Sequence, residues 1–125
     1  MKYVCLIYLE DATFEPLTQP QRDWYTNAML DNDEALRRSG HWVDAHALAA
    51  PAEAISVRVR QGRLSTTDGP FAETKEHLSG FVVIEARDLN DAIRIAAEMP
   101  LSRMGTIEVR PVRLIDYLDA VELPA

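Results

Sequence analysis

The sequence predicts an α+β domain with a ferredoxin-like, split βαβ architecture and an inserted β-hairpin. Apolar, β-rich segments and helical segments follow one another in the order β-α-β, hairpin, β-α-β, and the outer elements match that pattern. Helices separated in this way usually pack on one face of an antiparallel sheet. A second copy of the same sheet is the simplest cover for the other face, so the pattern also predicts a homodimer.

The first half of the pattern is a buried strand followed by a sharply bounded helix. Residues 3–9 are β-rich and apolar on both alternating faces, which favours a central strand over a short buried helix. Thr18 is suited to cap the next helix, with Gln21 reaching back to it and Pro20 at a position where no donor is lost. Gly40 is expected to end this helix.

A second strand and the hairpin follow. Residues 41–48 form the strand candidate, and its two faces differ. One face carries Val43, Ala45 and Ala47, and the other carries Trp42, Asp44, His46 and Leu48. Residues 55–60 alternate Ile or Val with Ser or Arg, and residues 63–67 follow the pair Gln61-Gly62. This arrangement predicts a hairpin with a short turn.

The second half repeats the strand, helix and strand. Residues 80–86 predict a buried strand, Asp88 is a helix cap, Pro100 bars extension of that helix, and residues 106–112 predict the last strand. The helix has one narrow apolar face, formed by Leu89, Ala92, Ile93, Ala96 and Ala97. A short C-terminal helix is indicated by Leu114, Tyr117, Leu118 and Val121. Loops are expected at 10–17, 49–54 and 100–105.

Length and composition are those of one globular domain spanning residues 1–125. With 47% hydrophobic and 26% charged residues, such a chain folds without a disulfide or a structural metal. The net charge of −7 argues against nucleic-acid binding, which needs clustered Lys and Arg. The one cysteine, Cys5, lies in an apolar run and is expected to be a buried, inert thiol.

Several functional classes lack their sequence signals. There is no Gly-rich phosphate loop, Gly-x-Ser-x-Gly elbow or Cys-x-x-Cys pair, so no cofactor is expected. His41 and His46 belong to no metal-ligand spacing, and no metal is expected. No signal-peptide pattern and no apolar run of ~18 residues occurs, which predicts a cytoplasmic protein without a membrane partner.

One tract is specific enough to indicate a family. Residues 68–76 begin Asp68-Gly69-Pro70-Phe71 and continue Ala-Glu-Thr-Lys-Glu, and residues 78–81, 88–92 and 105–112 add supporting matches. Over nearly its whole length the chain resembles the YCII-related proteins, in particular the branch named for the Asp-Gly-Pro-Phe signature. The resemblance implies a ferredoxin-like fold that pairs into a dimeric α+β barrel.

The resemblance implies little about chemistry. Distant relatives in the same superfamily include muconolactone isomerase-like enzymes and haem-handling monooxygenases, and sharing a fold does not transfer an activity. The wider family is thought to use a His–Asp pair whose His lies on the first helix. This chain has no His between Thr18 and Ser39, where Met29 fills that place, so the pair is not carried over. Family members are often encoded beside, or fused to, extracytoplasmic-function sigma factors, so the resemblance also allows a sigma factor as a partner.

Asp68 is the first catalytic candidate. Gly69 and Pro70 make its loop rigid, and a rigid loop can hold a carboxylate over a cleft for acid–base work; the alternative is a carboxylate that only stabilises the turn. Glu73 and Lys75 follow in the same loop. Lys75 would bind a substrate anion or keep Asp68 ionised, unless the loop is simply a solvated stretch of mixed charge.

Asp44 and His46 form a second candidate pair. Two residues apart on one strand face, their Cα atoms lie about 7 Å apart, and a His beside a carboxylate can transfer protons. The alternative is a polar pair at a dimer interface or a sheet edge. Aromatic residues that could line a substrate cleft are Phe71, Trp42 and Tyr8, although core or interface packing is favoured for Trp42 and Tyr8.

Two functions of different kinds follow. The first is a cofactor-independent enzyme that binds a small polar metabolite between the helix-free sheet face and loop 68–76. There Asp68 would move a proton with help from His46, while Lys75 steadies negative charge. The alternative is a non-catalytic ligand-binding or regulatory module associated with a sigma factor. A dimeric scaffold without a ligand is the third option.

Overall fold

A computed structural model describes residues 1–72, 74–119 and 122–124 of the chain. Its strands are β1 (Lys2–Glu10), β2 (Trp42–Ala47), β3 (Ile55–Arg60), β4 (Arg63–Asp68), β5 (Glu76–Glu85) and β6 (Thr106–Pro111). Its helices are α1 (Asp11–Phe14), α2 (Gln19–Ser39) and α3 (Leu89–Glu98), and short 3-10 turns occur at Pro51–Glu53 and Pro100–Arg103.

Strands β1, β2, β5 and β6 form one antiparallel sheet in the order β2-β5-β1-β6. The apolar strand β1 lies inside this sheet, paired to β5 on one side and β6 on the other. Strands β3 and β4 form a separate two-stranded sheet. This arrangement confirms the predicted α+β, ferredoxin-like class with an inserted hairpin.

The helix boundaries arise from local hydrogen bonds that the sequence predicts. At the start of α2, the Gln21 backbone N–H donates to Thr18 Oγ1 at 3.3 Å, and the Thr18 N–H donates to Gln21 Oε1 at 2.8 Å. Gly40 ends α2 with φ +80°, a conformation that suits glycine. At α3, the Asp91 N–H donates to Asp88 Oδ1 at 2.9 Å. These reciprocal contacts satisfy donors that a helix start would otherwise leave free.

The core lies between one sheet face and the helices, and the two long helices contribute to it unequally. From the strands it takes Tyr3, Cys5, Ile7, Val82 and Ile84. Helix α3 buries four of its ten residues, whereas Leu36 is the one buried residue of the 21-residue α2. Cys5 is buried as predicted, and desolvation raises the pKa of its thiol to about 11.

The hairpin turns through Gln61 and Gly62, which both have positive φ, at +52° and +73°. Two positive φ values in a two-residue loop define a type I′ turn, the turn that matches strand twist. Strand β3 places Ile55, Val57 and Val59 on one side, and all three are 59–64% exposed. The predicted hairpin is therefore confirmed, and its apolar side is uncovered in the single chain.

Two expectations about local structure are wrong. Residues 10–17 contain the short helix α1 instead of being only a loop. The C-terminal helix is absent from the described residues 112–119 and 122–124, where Leu114 and Tyr117 are 91% and 105% exposed; Val121 lies outside the described residues. The three described side chains of this segment, Leu114, Tyr117 and Leu118, are too exposed to hold a helix by packing. Among the described residues, no helix has both the length and the hydropathy needed to span a bilayer.

Candidate active site

A cavity of about 660 Å³ lies between α2 and the helix-covered face of the sheet. Most of its lining is apolar and includes Ile7, Leu9, Met29, Leu30, Val82 and Leu101. The cavity exists because α2 places a single buried residue, Leu36, against the core. Toward its N-terminus the helix leaves space above β1 and β5 that α3 fills at the other end.

A β-bulge in β5 directs His77 to this side of the sheet. Ile7 pairs with Gly80 but the next residue of β1, Tyr8, pairs with Leu78, so Ser79 is an extra residue in β5. Regular alternation from Gly80 would place Leu78 on the cavity face. The extra residue reverses the alternation, and His77 faces the cavity opposite its partner Leu9, as bulges near active sites often do.

His77 lies within hydrogen-bond distance of Asp11, the first residue of α1. The imidazole Nε2 and Asp11 Oδ2 are 3.2 Å apart. The His77 side chain is 21% exposed and that of Asp11 is 63% exposed, so the imidazole is inside the cavity mouth and the carboxylate is at its rim. Among the described residues none hydrogen-bonds the other ring nitrogen, Nδ1, which remains accessible to a bound molecule.

Arg22 holds the segment that closes this end of the cavity. Its Nε donates to the Leu17 carbonyl at 3.2 Å and its Nη2 donates to the Glu15 carbonyl at 3.0 Å. The guanidinium also lies 4.8 Å from the centre of the Phe14 ring. These three contacts fix the chain between α1 and α2, and they occupy the positive charge with the protein's own groups.

Asp33, on α2, is the third ionisable group of interest in the cavity wall. Its Oδ1 is buried and has no hydrogen-bond partner among the described residues. Desolvation raises the pKa of this carboxyl, while the charge of Arg37 lowers it to a smaller extent. A half-buried carboxyl of this kind holds a proton more readily than an exposed one, which is the property of a general acid.

The signature loop lies elsewhere on the protomer. Asp68 ends β4 and is exposed, as are Phe71 and Lys75; Glu73 lies outside the described residues. The Gly69 N–H donates to the Ala54 carbonyl at 2.7 Å, so the loop closes against the start of the hairpin. Neither Asp68 nor Lys75 lines the cavity with His46, and a single chain does not bring the three together.

Asp44 and His46 form the pair that their spacing predicts. His46 Nε2 is 3.2 Å from Asp44 Oδ1, with the side chains 63% and 51% exposed. His46 pairs with Phe81 across the strands, and their rings lie 5.7 Å apart. Phe81 alternates with the core residue Val82, so this pair occupies the helix-free face, although His46 also borders the cavity.

Trp42 and Tyr8 occupy different faces of the sheet. A bulge between Trp42 and Asp44 pairs Trp42 with the core residue Ile84, so the expectation that Trp42 shares a face with Asp44 and His46 is wrong. Trp42 packs against the core, with the Arg37 guanidinium 4.2 Å from its ring centre. Tyr8 is half-buried on the helix-free face. Neither residue lines the cavity.

Metal ligands are not clustered in the part of the chain that the structure describes. No group of three or more His, Cys, Asp and Glu side chains there is arranged to hold a metal ion. The ionisable groups in the cavity lining are three carboxylates, two imidazoles and a guanidinium.

The sequence comparisons agree with the fold. The family model for the YCII-related domain matches residues 1–116. The chain belongs to the YCII-related family. This YCII-related protein is also 38% identical over 116 residues to an uncharacterized protein of Rhizobium meliloti (strain 1021), a match that covers 91% of this chain and 94% of the relative.

Sequence reasoning missed all three cavity groups, for identifiable reasons. His77 lies outside the predicted strand 80–86, because β5 begins four residues earlier. The pair Ser79-Gly80 carried a signal, since an isolated glycine in a strand often marks a bulge; a Cβ on Gly80 would lie 2.8 Å from the His46 carbonyl oxygen. Asp11 belongs to a segment expected to be a loop. Asp33 carried no local signal, because only the tertiary packing of α2 buries it.

Proposed function

We propose that this YCII-related protein is a cofactor-independent acid–base enzyme that enolises or isomerises a small carbonyl compound in the cavity beneath α2. The observation that carries the proposal is the Asp11–His77 pair, at 3.2 Å, placed by the β5 bulge at the same cavity as the unpartnered oxygen of Asp33. A base and an acid that face one pocket are the parts that proton transfer next to a carbonyl requires.

His77 is the base in this mechanism. Its Nδ1 takes a proton from the carbon next to the substrate carbonyl, and the ring becomes an imidazolium. Asp11, at Nε2, holds the ring in place and stabilises the charge it gains, as a carboxylate does for histidine in hydrolase triads. Returning the proton to another carbon gives the isomer, so no atom is gained or lost.

Asp33 is the acid. In its protonated form it donates to the carbonyl oxygen, on which negative charge develops as the carbon is deprotonated. The desolvation that raises the pKa of Asp33 favours that form. The apolar lining from Ile7, Met29 and Leu101 excludes water and strengthens each of these polar contacts.

Deuterium exchange tests the proposal without knowledge of the product. The protein is incubated in deuterium oxide with ketones, lactones and keto acids, and loss of the proton signal next to the carbonyl is followed by NMR. We expect exchange on at least one compound. His77→Gln should slow it by about 10²-fold or more, the usual contribution of a general base.

His46→Gln is the matched comparison, because His46 and His77 each lie 3.2 Å from a carboxylate and both border the cavity, but the His46–Asp44 pair lies on the helix-free face. We expect His46→Gln to retain most of the exchange rate. Loss of exchange in His46→Gln but not in His77→Gln would place the chemistry on the helix-free face instead. If no compound exchanges and a sigma factor co-purifies, the regulatory alternative is favoured.

We also propose that two copies pair through the helix-free face. The centre of that face is apolar, with Leu6 on β1 and Phe81 and Val83 on β5, all half-buried in the single chain. Polar pairs flank this centre on both edge strands: Asp44 with His46 on β2, and Glu108 with Arg110 at 2.7 Å on β6. An apolar centre with a polar rim is the usual make-up of an interface.

Light scattering of the purified protein tests the pairing. We expect a dimer for the native chain and a monomer for Phe81→Asp, since the new charge would be buried at the interface without a partner. Ile93→Asp, on an exposed part of α3, is the control and should stay dimeric. A native chain that is monomeric at all concentrations would refute the pairing.

A further inference from the structure

The charged groups around the cavity bear on its ligand. Three carboxylates line it, on Asp11, Glu15 and Asp33, with three groups that carry or can gain positive charge, on Arg22, His46 and His77. Each of these three groups already has a protein partner. Arg22 donates to two backbone carbonyls and lies over the Phe14 ring, and His46 and His77 each lie 3.2 Å from a carboxylate, of Asp44 and Asp11.

Among the described residues that line the cavity, no cationic group is therefore free to receive an anionic ligand. A ligand carboxylate placed near Asp33 would lose its hydration, and it would face a like charge whenever Asp33 is ionised; both effects oppose binding. The rest of the lining is mainly aliphatic, which suits a hydrocarbon body. The net charge of the chain, −7, adds to this preference at longer range.

We infer that the cavity takes an uncharged carbonyl compound with a largely apolar body, and that Asp33 is the residue that discriminates against carboxylates. This inference rests on the proposed function for the use of the carbonyl. It differs from the polar or anionic metabolite that the sequence led us to expect. The cavity volume of about 660 Å³ accommodates a ligand of drug-like size or smaller.

Three eight-carbon probes that differ in their polar group test the inference: methyl hexyl ketone, octanoate and octylammonium. Binding is measured at about pH 7, where octanoate and octylammonium are both charged, from the methyl NMR shifts of Ile7, Met29 and Leu101. We expect the ketone to shift these methyl signals and to bind at least about tenfold more tightly than octanoate, a difference of about 1.4 kcal/mol. Asp33→Asn should reduce that preference several-fold, and Glu15→Gln, at the exposed rim, should reduce it less.

Each other result overturns the inference. Octanoate that binds as tightly as the ketone would show that a cation in the cavity is available after all. Octylammonium that binds most tightly would make the site an ammonium site, with Asp33 as its counter-ion. No shift with any probe would show that the cavity does not take such ligands. Because binding is read without turnover, a protein that binds the ketone but exchanges no proton refutes the proposed catalysis and leaves this inference standing.

Discussion

A carboxylate on each of the two long helices faces the core side of the sheet, and the two differ in their hydrogen bonding. Beneath α3, Asp91 is 4% exposed and fully engaged: it accepts from the Arg87 N–H at 3.0 Å and from Arg94 Nη2 at 2.9 Å, and His41 Nε2 lies 3.9 Å away. Beneath α2, the buried Oδ1 of Asp33 has no partner among the described residues.

The pKa values of these two groups record the difference. The Arg87 backbone N–H, followed by the Arg94 guanidinium, lowers the pKa of Asp91 to about 2. Desolvation raises the pKa of Asp33. A polar group with all its hydrogen bonds made stabilises the fold, whereas an ionisable group with a shifted pKa in a cavity wall is a candidate for function. The end at Asp91, called the closed end, is therefore structural. The end at Asp33, called the open end, carries the candidate site.

Truncating one apolar side chain at each end should give the largest difference in the free energy of unfolding. Ile95 of α3 is 1% exposed, and Ile95→Ala should lower the free energy of unfolding by about 2–5 kcal/mol, because it leaves a hole in a filled region. Met29→Ala should cost less than about 1 kcal/mol, because Met29 already borders a cavity and its removal only enlarges it. Urea denaturation of both variants measures this. Equal losses would mean that α2 packs as tightly as α3.

The second prediction concerns Asp91. Because the folded-state pKa lies below the unfolded value, Asp91 stabilises the fold above about pH 4 and loses that contribution as the pH falls toward 2. Asp91→Asn should lower the melting temperature near neutral pH by roughly 5–10 °C and flatten the loss of stability below about pH 4.

Thermal melts across the acid range, with Asp31→Asn as control, test this prediction. Asp31 is an exposed acid on α2, so its replacement should leave the curve close to that of the native chain. A variant of Asp91 whose stability falls with acid as steeply as the native chain would show that its bonds to Arg87 and Arg94 do not stabilise the fold.

The fate of the sequence predictions follows the same division. Elements bounded by local signals are confirmed: the capping box of Thr18 and Gln21, the Gly40 end of α2 and the Gln61-Gly62 turn each depend on bonds within a few residues. The candidate site was not found this way, because its position depends on one extra residue at Ser79. A one-residue change of register moves every later side chain to the other face, and local patterns do not reveal it.

The signature tract illustrates the same limit. Residues 68–76 were specific enough to indicate the family, yet in the single chain Asp68 is exposed and closes a loop by way of Gly69 and Ala54. Its catalytic role remains a prediction, as do those of His46 and Lys75. A motif shows which fold a chain shares with others, but it does not show which of its polar residues face a cavity.

Near neutral pH, Asp33→Asn should stabilise the fold, whereas Asp91→Asn should destabilise it. A folded-state pKa above the unfolded value means that the folded chain loses stability as the pH rises above about 4. Replacing the carboxylate should therefore raise the free energy of unfolding by about 1 kcal/mol near neutral pH, since it removes a poorly solvated charge, and should change little near pH 3, where both side chains are neutral. Urea denaturation at both pH values measures it; a loss of stability at neutral pH would mean that Asp33 has a partner the cavity conceals.

Arg22→Lys should give the smallest effect and is the sharpest test of how the open end is held. Lysine keeps the charge but cannot direct two N–H groups to the Glu15 and Leu17 carbonyls while it stacks on Phe14. We expect a loss below about 1 kcal/mol in unfolding free energy, with faster amide hydrogen exchange confined to residues 11–17. Arg38→Lys is the control, because Arg38 is 77% exposed and lies 3.8 Å from Glu34, so it should be neutral. Exchange that speeds up equally in α3 would mean that Arg22 supports the whole fold and not the cavity's closing segment alone.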